Sequence, residues 1–145
     1  PEKPIEKIIE YSTIPGTSRH HWGTDIDIID ANAPRPANVL MPENFHGTGP
    51  FCKLKMWLNE NAEKFGFYEV YTDNGNRKGF KYEPWHFSYA PVSGPMLRAY
   101  KEQIDVKKML SEEKILGNEH FSETFISKYV NENILDINPK LSQMS

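Results

Sequence analysis

The sequence predicts an α+β fold, with a small antiparallel β-sheet flanked by helices and a helical tail at the C-terminus. Two observations lead to this prediction. Helical and strand-like segments follow one another as helix, strand, helix, several short strands and then helices, an order typical of α+β proteins. The short strands lie around a turn sequence, which favours antiparallel pairing. A chain of 145 residues suffices for one hydrophobic core, and we expect residues 1–145 to form a single domain.

The first part of the chain predicts one helix, one strand and a long loop. "PEKPIEKIIEYS" places three isoleucines on one helical face, and the "TIPGTS" that follows ends the helix. "TDIDIID" alternates as a strand does, so Asp25 and Asp27 point to the same side of the sheet. Residues 31–50 are rich in Pro, Asn and Gly, and a loop of this length in a small domain often lines a binding cleft.

The second part predicts a helix, a hairpin and a helical tail. From Phe51 to Phe65 apolar residues recur at helical spacing, and Gly66 ends this helix. Two short strands, "FYEVYT" and "KGFKY", surround "DNGNR", which is a strong hairpin signal. "WHFSY" follows as a third strand. After "APVSGP" the chain becomes helical and charged, with Ser111 and Ser122 as candidate helix caps.

The composition narrows the classes of function. The net charge is −3 and no basic block runs through the sequence, so nucleic acid is not an expected partner. No apolar run approaches the roughly 18 residues that a membrane-spanning helix needs, so no membrane span is expected in this chain. Cys52 is the only cysteine, which excludes a disulfide within the chain. The sequence gives no signal for the oligomeric state.

Metal-ligating side chains concentrate in two short stretches, "SRHHWGTDID" and "YEPWHFSY". His20 follows the Pro-Gly turn, Asp27 lies on the next strand, and His86 lies on a later strand that can neighbour it. A catalytic zinc site usually has three protein ligands and keeps one position open, which two histidines and one carboxylate provide. Glu83 lies just before Pro84, and a carboxylate beside such a site is the usual general base of metal-assisted hydrolysis.

The spacing within these stretches is recognisable. It is carried by Ser18, His20, Gly23 and Asp27 in the first stretch and by Glu83, Trp85 and His86 in the second. These residues resemble the S-x-H-x-x-G-x-A-x-D and E-x-W-H signatures of the D-alanyl-D-alanine carboxypeptidases of VanY type. That family belongs to a group with lysostaphin, other D-Ala-D-Ala metallopeptidases and hedgehog domains, which implies a hedgehog/DD-peptidase-like fold. The resemblance extends from about Ile9 to Tyr89.

The resemblance implies a zinc-dependent D,D-carboxypeptidase that removes the terminal D-alanine from peptidoglycan stem peptides. The implied zinc ligands are His20, Asp27 and His86, with one Zn²⁺ per chain. Glu83 is implied as the catalytic base and Ser18 as a substrate-binding residue. Peptidoglycan stem peptides are the implied partners, and the implied location is periplasmic or exported, in the cell envelope.

The sequence departs from the family pattern at two places. Asp25 replaces the alanine of the first signature and shares a strand face with Asp27. Asp25 therefore either contacts the metal ligands from behind or competes with Asp27 as a ligand. The register of the motif favours Asp27 as the ligand. The family also carries a substrate-binding arginine upstream of the first signature, and we expect this chain to lack the N-terminal segment that contains it. Arg19 and Arg35 are nearby alternatives, and neither is favoured.

Several functional alternatives remain open at this stage. A D,D-dipeptidase and an L,D-endopeptidase acting on cell-wall peptides would share the zinc ligands and the base. A non-catalytic zinc-containing binding module, as in hedgehog-like domains, is the alternative from another class, and the presence of Glu83 argues for catalysis. His46 and His120 fall outside both motifs and are expected to be ordinary polar residues, whereas the sequence does not assign His21.

Overall fold

The computed structural model of this chain describes residues 2–10, 12–112 and 114–143. Its helices are α1 (Glu2–Ile8), α2 (Cys52–Asn61), α3 (Ala90–Gln103), α4 (Val106–Glu112), α5 (Glu123–Tyr129) and α6 (Pro139–Ser142). Its strands are β1 (Asp25–Asp27), β2 (Phe67–Glu69) and β3 (His86–Tyr89). Four 3-10 turns, at Arg19–Trp22, Pro42–Phe45, Ala62–Phe65 and Asn118–His120, and a π-helical turn at Val130–Ile134 complete the regular structure of the described residues. The predicted α+β class is confirmed.

The sheet is antiparallel, with β3 in the centre between β1 and β2. In the register of β1 and β3, Asp27 lies opposite His86 and Asp25 lies opposite Ser88. Successive side chains of a strand point to opposite faces. Phe87 therefore packs into an apolar cluster with Leu58 of α2, and the polar residues of both strands share the other face of the sheet.

The predicted hairpin was wrong in its second strand. Residues 78–82 have no regular structure, and β2 pairs with β3 instead. The reason is a long-range contact that local sequence does not reveal. The main-chain nitrogen of Lys78 donates to the Asp136 carboxylate at 2.8 Å, and Gly79 lies directly against the backbone of Glu132. These contacts hold the segment to the C-terminal helices rather than to β2.

The helices also differ from the prediction at their ends. α3 begins at Ala90, so "APVSGP" belongs to the helix and Pro95 lies inside it. Ser111 does not cap a helix, because it lies within α4 and donates to the Lys107 carbonyl oxygen at 2.8 Å. The prediction for Ser122 is confirmed, since its hydroxyl accepts from the main-chain nitrogen of Phe125 at the start of α5.

Two apolar clusters pack against the segments that carry the two motifs. The larger cluster joins Val70 and Tyr71 to the C-terminal helices. Within it, the buried Tyr129 hydroxyl accepts from the main-chain nitrogen of Ile14 at 3.0 Å and lies 2.8 Å from the Thr17 hydroxyl. The smaller cluster consists of Phe45, Phe51 and Trp85. The Pro-Gly turn is thus attached to α5, and Trp85 is buried against the long loop.

Within the described residues, no helix combines the length and the apolarity that crossing a membrane requires.

The contact between Gly79 and Glu132 provides a test of this architecture. Gly79 has φ +78°, and a Cβ there would lie 1.9 Å from the Glu132 carbonyl oxygen. Gly79→Ala should therefore lower the free energy of unfolding by about 2 kcal/mol or more, because both the backbone conformation and the contact become unfavourable. Chemical denaturation measures the change. Gly75→Ala is the matched control, since a Cβ there meets nothing within 4 Å, and equal stability of the two variants would contradict the anchoring role of Gly79.

Candidate metal centre and active site

A cleft of about 700 Å³ opens on the polar face of the sheet. It brings together every residue that the two motifs assign to chemistry, namely Ser18, His20, Asp27, Glu83 and His86. The rest of its lining comes from Glu10, Ser12, Thr13, Arg19, Leu40, Met41, Pro42, Tyr71, Phe80, Lys81, Tyr82 and Trp85. The long loop contributes three of these residues, which confirms that it forms part of a cleft wall.

Local backbone geometry positions the first motif. His20 lies in the 3-10 turn Arg19–Trp22, and Gly23 ends this turn with φ 72° and donates its N–H to the His20 carbonyl oxygen. Glycine adopts this left-handed conformation without the strain that a side chain would add. The chain then enters β1 directly, which brings Asp27 to the position opposite His86.

His20, Asp27 and His86 form a compact donor set. One ligand atom from each lies within 4.8 Å of the others, and His20 Nε2 is 3.4 Å from Asp27 Oδ1. The imidazole rings of His20 and His86 stack with their centroids 4.5 Å apart. Ligands at about 2.1 Å around a tetrahedral zinc ion are separated by about 3.4 Å, and the 3.4 Å between His20 Nε2 and Asp27 Oδ1 has this value.

Glu83 lies next to this donor set because of a turn. The main-chain nitrogen of His86 donates to the Glu83 carbonyl oxygen at 3.2 Å, which curls the chain around the buried Pro84. Strand alternation does not apply across this turn, and Glu83 Oε2 lies 2.9 Å from His86 Nδ1. The Glu83 side chain is 24% exposed, so its carboxylate has access to the cleft.

Asp25 lies outside the group of His20, Asp27 and His86 that could hold a metal ion. Its side chain is completely buried, and it lies behind His86, with its Oδ2 atom 2.7 Å from His86 Nε2. Burial alone would raise the pKa of Asp25, but the hydrogen bond with His86 and the positive charge of Arg19 outweigh it and hold this pKa well below its usual range. Asp25 is therefore an ionised carboxylate in the interior.

The same surroundings change the acid–base behaviour of His86 and Asp27. Burial lowers the pKa of His86, but hydrogen bonds to Asp25 and Glu83 have the larger combined effect and raise it to about 9. Burial raises the pKa of Asp27, although its electrostatic interaction with the neighbouring His20 acts in the opposite direction. His86 thus lies between two carboxylates, Asp25 and Glu83, that both favour its protonated form.

The remaining predicted residues occupy distinct places. Ser18 lines the cleft, and its side chain does not cap the 3-10 turn that follows it. Arg19 is buried, with Nε donating to Asp25 at 3.0 Å and Nη2 donating to Ser88 at 3.1 Å. Two of its three guanidinium nitrogens are therefore engaged by the protein. Arg35 is exposed on the long loop and does not line the cleft.

The other histidines lie outside the donor set. His21 is exposed on the 3-10 turn. His120 is exposed beside Glu119. His46 lies near the cleft, where its Nε2 atom is 2.8 Å from the Tyr82 hydroxyl.

Sequence reasoning missed two residues, Thr24 and Ser88, that form hydrogen bonds with the Asp25 carboxylate behind His86. Ser88 donates to Asp25 Oδ1 at 2.6 Å, and Thr24 donates to the same oxygen at 2.8 Å. Strand alternation was the signal for Ser88, because it follows His86 by two residues and so shares its face. Tyr71 and Tyr82 also line the cleft.

Comparison with known proteins decides the family. Residues 2–92 match the VanY family, which is described as D-alanyl-D-alanine carboxypeptidase. This chain belongs to that family. The match contains both motifs, and it confirms the resemblance found in the sequence.

Two relatives of this VanY-family protein extend the comparison. An uncharacterized protein of Haemophilus influenzae is 32% identical over 123 residues, which cover 81% of this chain and 92% of that protein. A D-alanyl-D-alanine carboxypeptidase of Enterococcus faecalis is 31% identical over 102 residues, which cover 70% of this chain but 32% of that protein. This chain thus corresponds to about a third of the enterococcal enzyme. The comparison with solved structures gave no significant match.

Proposed function

We propose that this protein is a zinc-dependent D,D-carboxypeptidase that removes the terminal D-alanine from peptidoglycan stem peptides in the cell envelope. The observation that carries the proposal is the convergence of His20, Asp27 and His86 with Glu83 in one cleft. The family match supports the class of substrate. The enterococcal relative is itself named as a carboxypeptidase of this specificity.

The chemistry of the donor set fits zinc. Two imidazoles and one carboxylate are a common ligand combination for a catalytic zinc ion, and three protein ligands leave a position free for the reaction. Zinc, when bound, supplies a Lewis acid that polarises the scissile carbonyl and makes water a stronger nucleophile. His20 and Asp27 lie on the exposed side of the set and His86 on the buried side, so the free position would face the cleft.

Glu83 is the proposed general base. Its carboxylate lies 2.9 Å from Nδ1 of the proposed ligand His86, and so within reach of a water molecule at the same site. Glu83 takes a proton from this water as the oxygen attacks the scissile carbonyl carbon. The carbon–nitrogen bond then breaks, and Glu83 delivers the proton to the leaving amine of D-alanine. Water is thereby added across one amide bond, and the carboxylate returns to its starting state.

The cleft walls would select the substrate. Zinc and a glutamate hydrolyse amides of either handedness, so a preference for D-residues must arise from the pocket around the terminal side chain and carboxylate. Ser18 lies two residues before His20 and can donate a hydrogen bond to the peptide. Leu40 and Met41 of the long loop provide apolar surface on the same cleft.

The first prediction concerns the metal. The purified protein should bind about one zinc ion per chain, as measured by elemental analysis after dialysis. His20→Ala, Asp27→Ala and His86→Ala should each lose most of this zinc, because two ligands hold the ion too weakly. His120→Ala is the control, since this exposed histidine lies outside the donor set. Full retention of zinc in Asp27→Ala would show that the ligand assignment is wrong.

The second prediction separates the base from the ligands. Glu83→Gln preserves the shape of the side chain but removes the proton acceptor, so zinc content should stay unchanged while kcat falls by roughly 10²-fold or more. Glu63→Gln is the control, because Glu63 forms an exposed ion pair with Lys140 at 2.7 Å and such pairs contribute little. Loss of zinc in Glu83→Gln would show that Glu83 is a ligand. Unchanged turnover would show that Glu83 is not the general base.

The third prediction concerns the bond that is cut. A stem peptide ending in D-Ala-D-Ala should release free D-alanine, and its L-Ala-L-Ala counterpart should react about 10²-fold more slowly, which corresponds to about 2.7 kcal/mol in the transition state. Mass spectrometry of the digest distinguishes the alternatives. Release of a D-Ala-D-Ala dipeptide would indicate a D,D-dipeptidase, and an internal cut would indicate an L,D-endopeptidase. No cleavage by the zinc-loaded protein would favour a binding module.

A further inference from the structure

The Asp25 carboxylate accepts hydrogen bonds from four side chains. Its Oδ1 atom accepts from Thr24 at 2.8 Å and from Ser88 at 2.6 Å. Its Oδ2 atom accepts from Arg19 Nε at 3.0 Å and lies 2.7 Å from His86 Nε2. Because a carboxylate has about four acceptor sites, these contacts use its full capacity. Asp25 therefore has no capacity left for a metal ion.

These contacts determine which nitrogen of His86 carries a proton beside Asp25. Arg19 Nε and the hydroxyl groups of Thr24 and Ser88 all donate to the Asp25 carboxylate, so this carboxylate acts as an acceptor toward each of its neighbours. His86 Nε2 must therefore be the donor. The opposite nitrogen, Nδ1, faces Glu83 and the cleft, so Nδ1 is the atom of His86 that is left for a metal ion.

The main-chain carbonyl group of Asp25 likewise determines which ring nitrogen of His20 carries a proton. His20 Nδ1 lies 3.2 Å from the Asp25 carbonyl oxygen, and a carbonyl oxygen can only accept. The Nδ1 atom of His20 is thus the donor, and its Nε2 atom, 3.4 Å from Asp27 Oδ1, is left for a metal ion. The two histidines would therefore use different ring nitrogens.

The sheet register explains how one residue reaches both histidines. Asp25 lies opposite Ser88 on β3, and His86 is two residues away on the same face, which makes it a diagonal neighbour of Asp25. Arg19, which holds the carboxylate, belongs to the 3-10 turn that carries His20, and its guanidinium lies 4.7 Å from the centre of the Trp22 ring in that turn. Asp25 thus connects the turn to the two strands.

We propose that Asp25 is the positioning residue of the metal centre, with its carboxylate orienting His86 and its carbonyl oxygen orienting His20, so that Nδ1 of one and Nε2 of the other bind the ion. This inference rests on the metal site proposed above. Hydrogen bonds of this kind fix the tautomer and the ring orientation of metal-binding histidines, and their removal typically weakens metal affinity by about 10- to 100-fold.

The histidine tautomers can be measured directly in the unmodified protein. Long-range proton–nitrogen correlation spectra of ¹⁵N-histidine-labelled protein, recorded with one equivalent of zinc, should show His86 protonated at Nε2 and His20 protonated at Nδ1. Zinc binding through the same nitrogen in both rings would overturn the positioning role and leave the proposed function standing. If zinc does not bind at all, the proposed metal site fails, and this inference fails with it.

A substitution tests the contribution of the carboxylate. Asp25→Asn keeps the size of the side chain but offers one acceptor oxygen to four donors, so zinc affinity measured by chelator competition should fall by about 10- to 100-fold. Thr24→Val is the matched control. It removes one buried hydrogen bond to Asp25 Oδ1 but leaves the contact with His86, and its affinity should stay within about threefold of the native value.

The two variants also separate positioning from folding. Equal affinity in Asp25→Asn and the native protein would overturn the proposal. An equal loss in Thr24→Val would do so as well, because it would attribute the effect to general loosening of the interior. Should Asp25→Asn fail to fold because Arg19 loses its counter-charge, the tautomers of the native protein decide the question without any substitution.

Discussion

The antiparallel pairing of β1 with β3 is the constraint on which the site depends. It places Asp27 opposite His86 and Asp25 opposite Ser88, so that four polar side chains share one face of a three-stranded sheet. A slip of one residue in this pairing would move every side chain of a strand to the other face. Two members of the donor set, Asp27 and His86, and the Asp25 carboxylate behind them therefore arise from a single register. Short strands of three and four residues are enough to define it.

Residues beyond the family match help to hold this register. The match ends at residue 92, but Tyr129 of α5 binds the Pro-Gly turn that precedes His20. In the same part of the chain, the backbone of Glu132 contacts Gly79. Gly79 lies shortly before the turn that carries Glu83. The helical tail is thus a structural support for both motifs, although the resemblance in sequence is weaker there.

The sequence predicted which motif residues lie near one another in the cleft, but it did not predict every strand, and the difference has a physical reason. The motif spacings are short, and the chain itself brings such residues together once one strand and one turn are formed. The hairpin failed because the contacts of Gly79 lie more than fifty positions away, at Glu132. The helical spacing of apolar residues from Phe51 to Phe65 places Phe65 on the same face as Phe51, but Phe65 is 64% exposed. The α-helix ends at Asn61, and the 3-10 turn that follows has three residues per turn, which rotates Phe65 away from the core.

The buried Arg19–Asp25 pair has a cost that stability alone does not explain. Both side chains are 5% exposed or less, and burying two charges typically costs several kcal/mol per ion, which their attraction offsets only in part. Arg19 Nη1 is also buried without a hydrogen-bond partner among the described residues, which adds to this cost. An apolar pair of similar volume would often be at least as stable at such a position. An apolar pair, however, has no acceptor for His86 Nε2, and the ring would then be free to present either nitrogen to the cleft. If the positioning role proposed above holds, the pair serves to orient a proposed ligand at a cost to the stability of the fold.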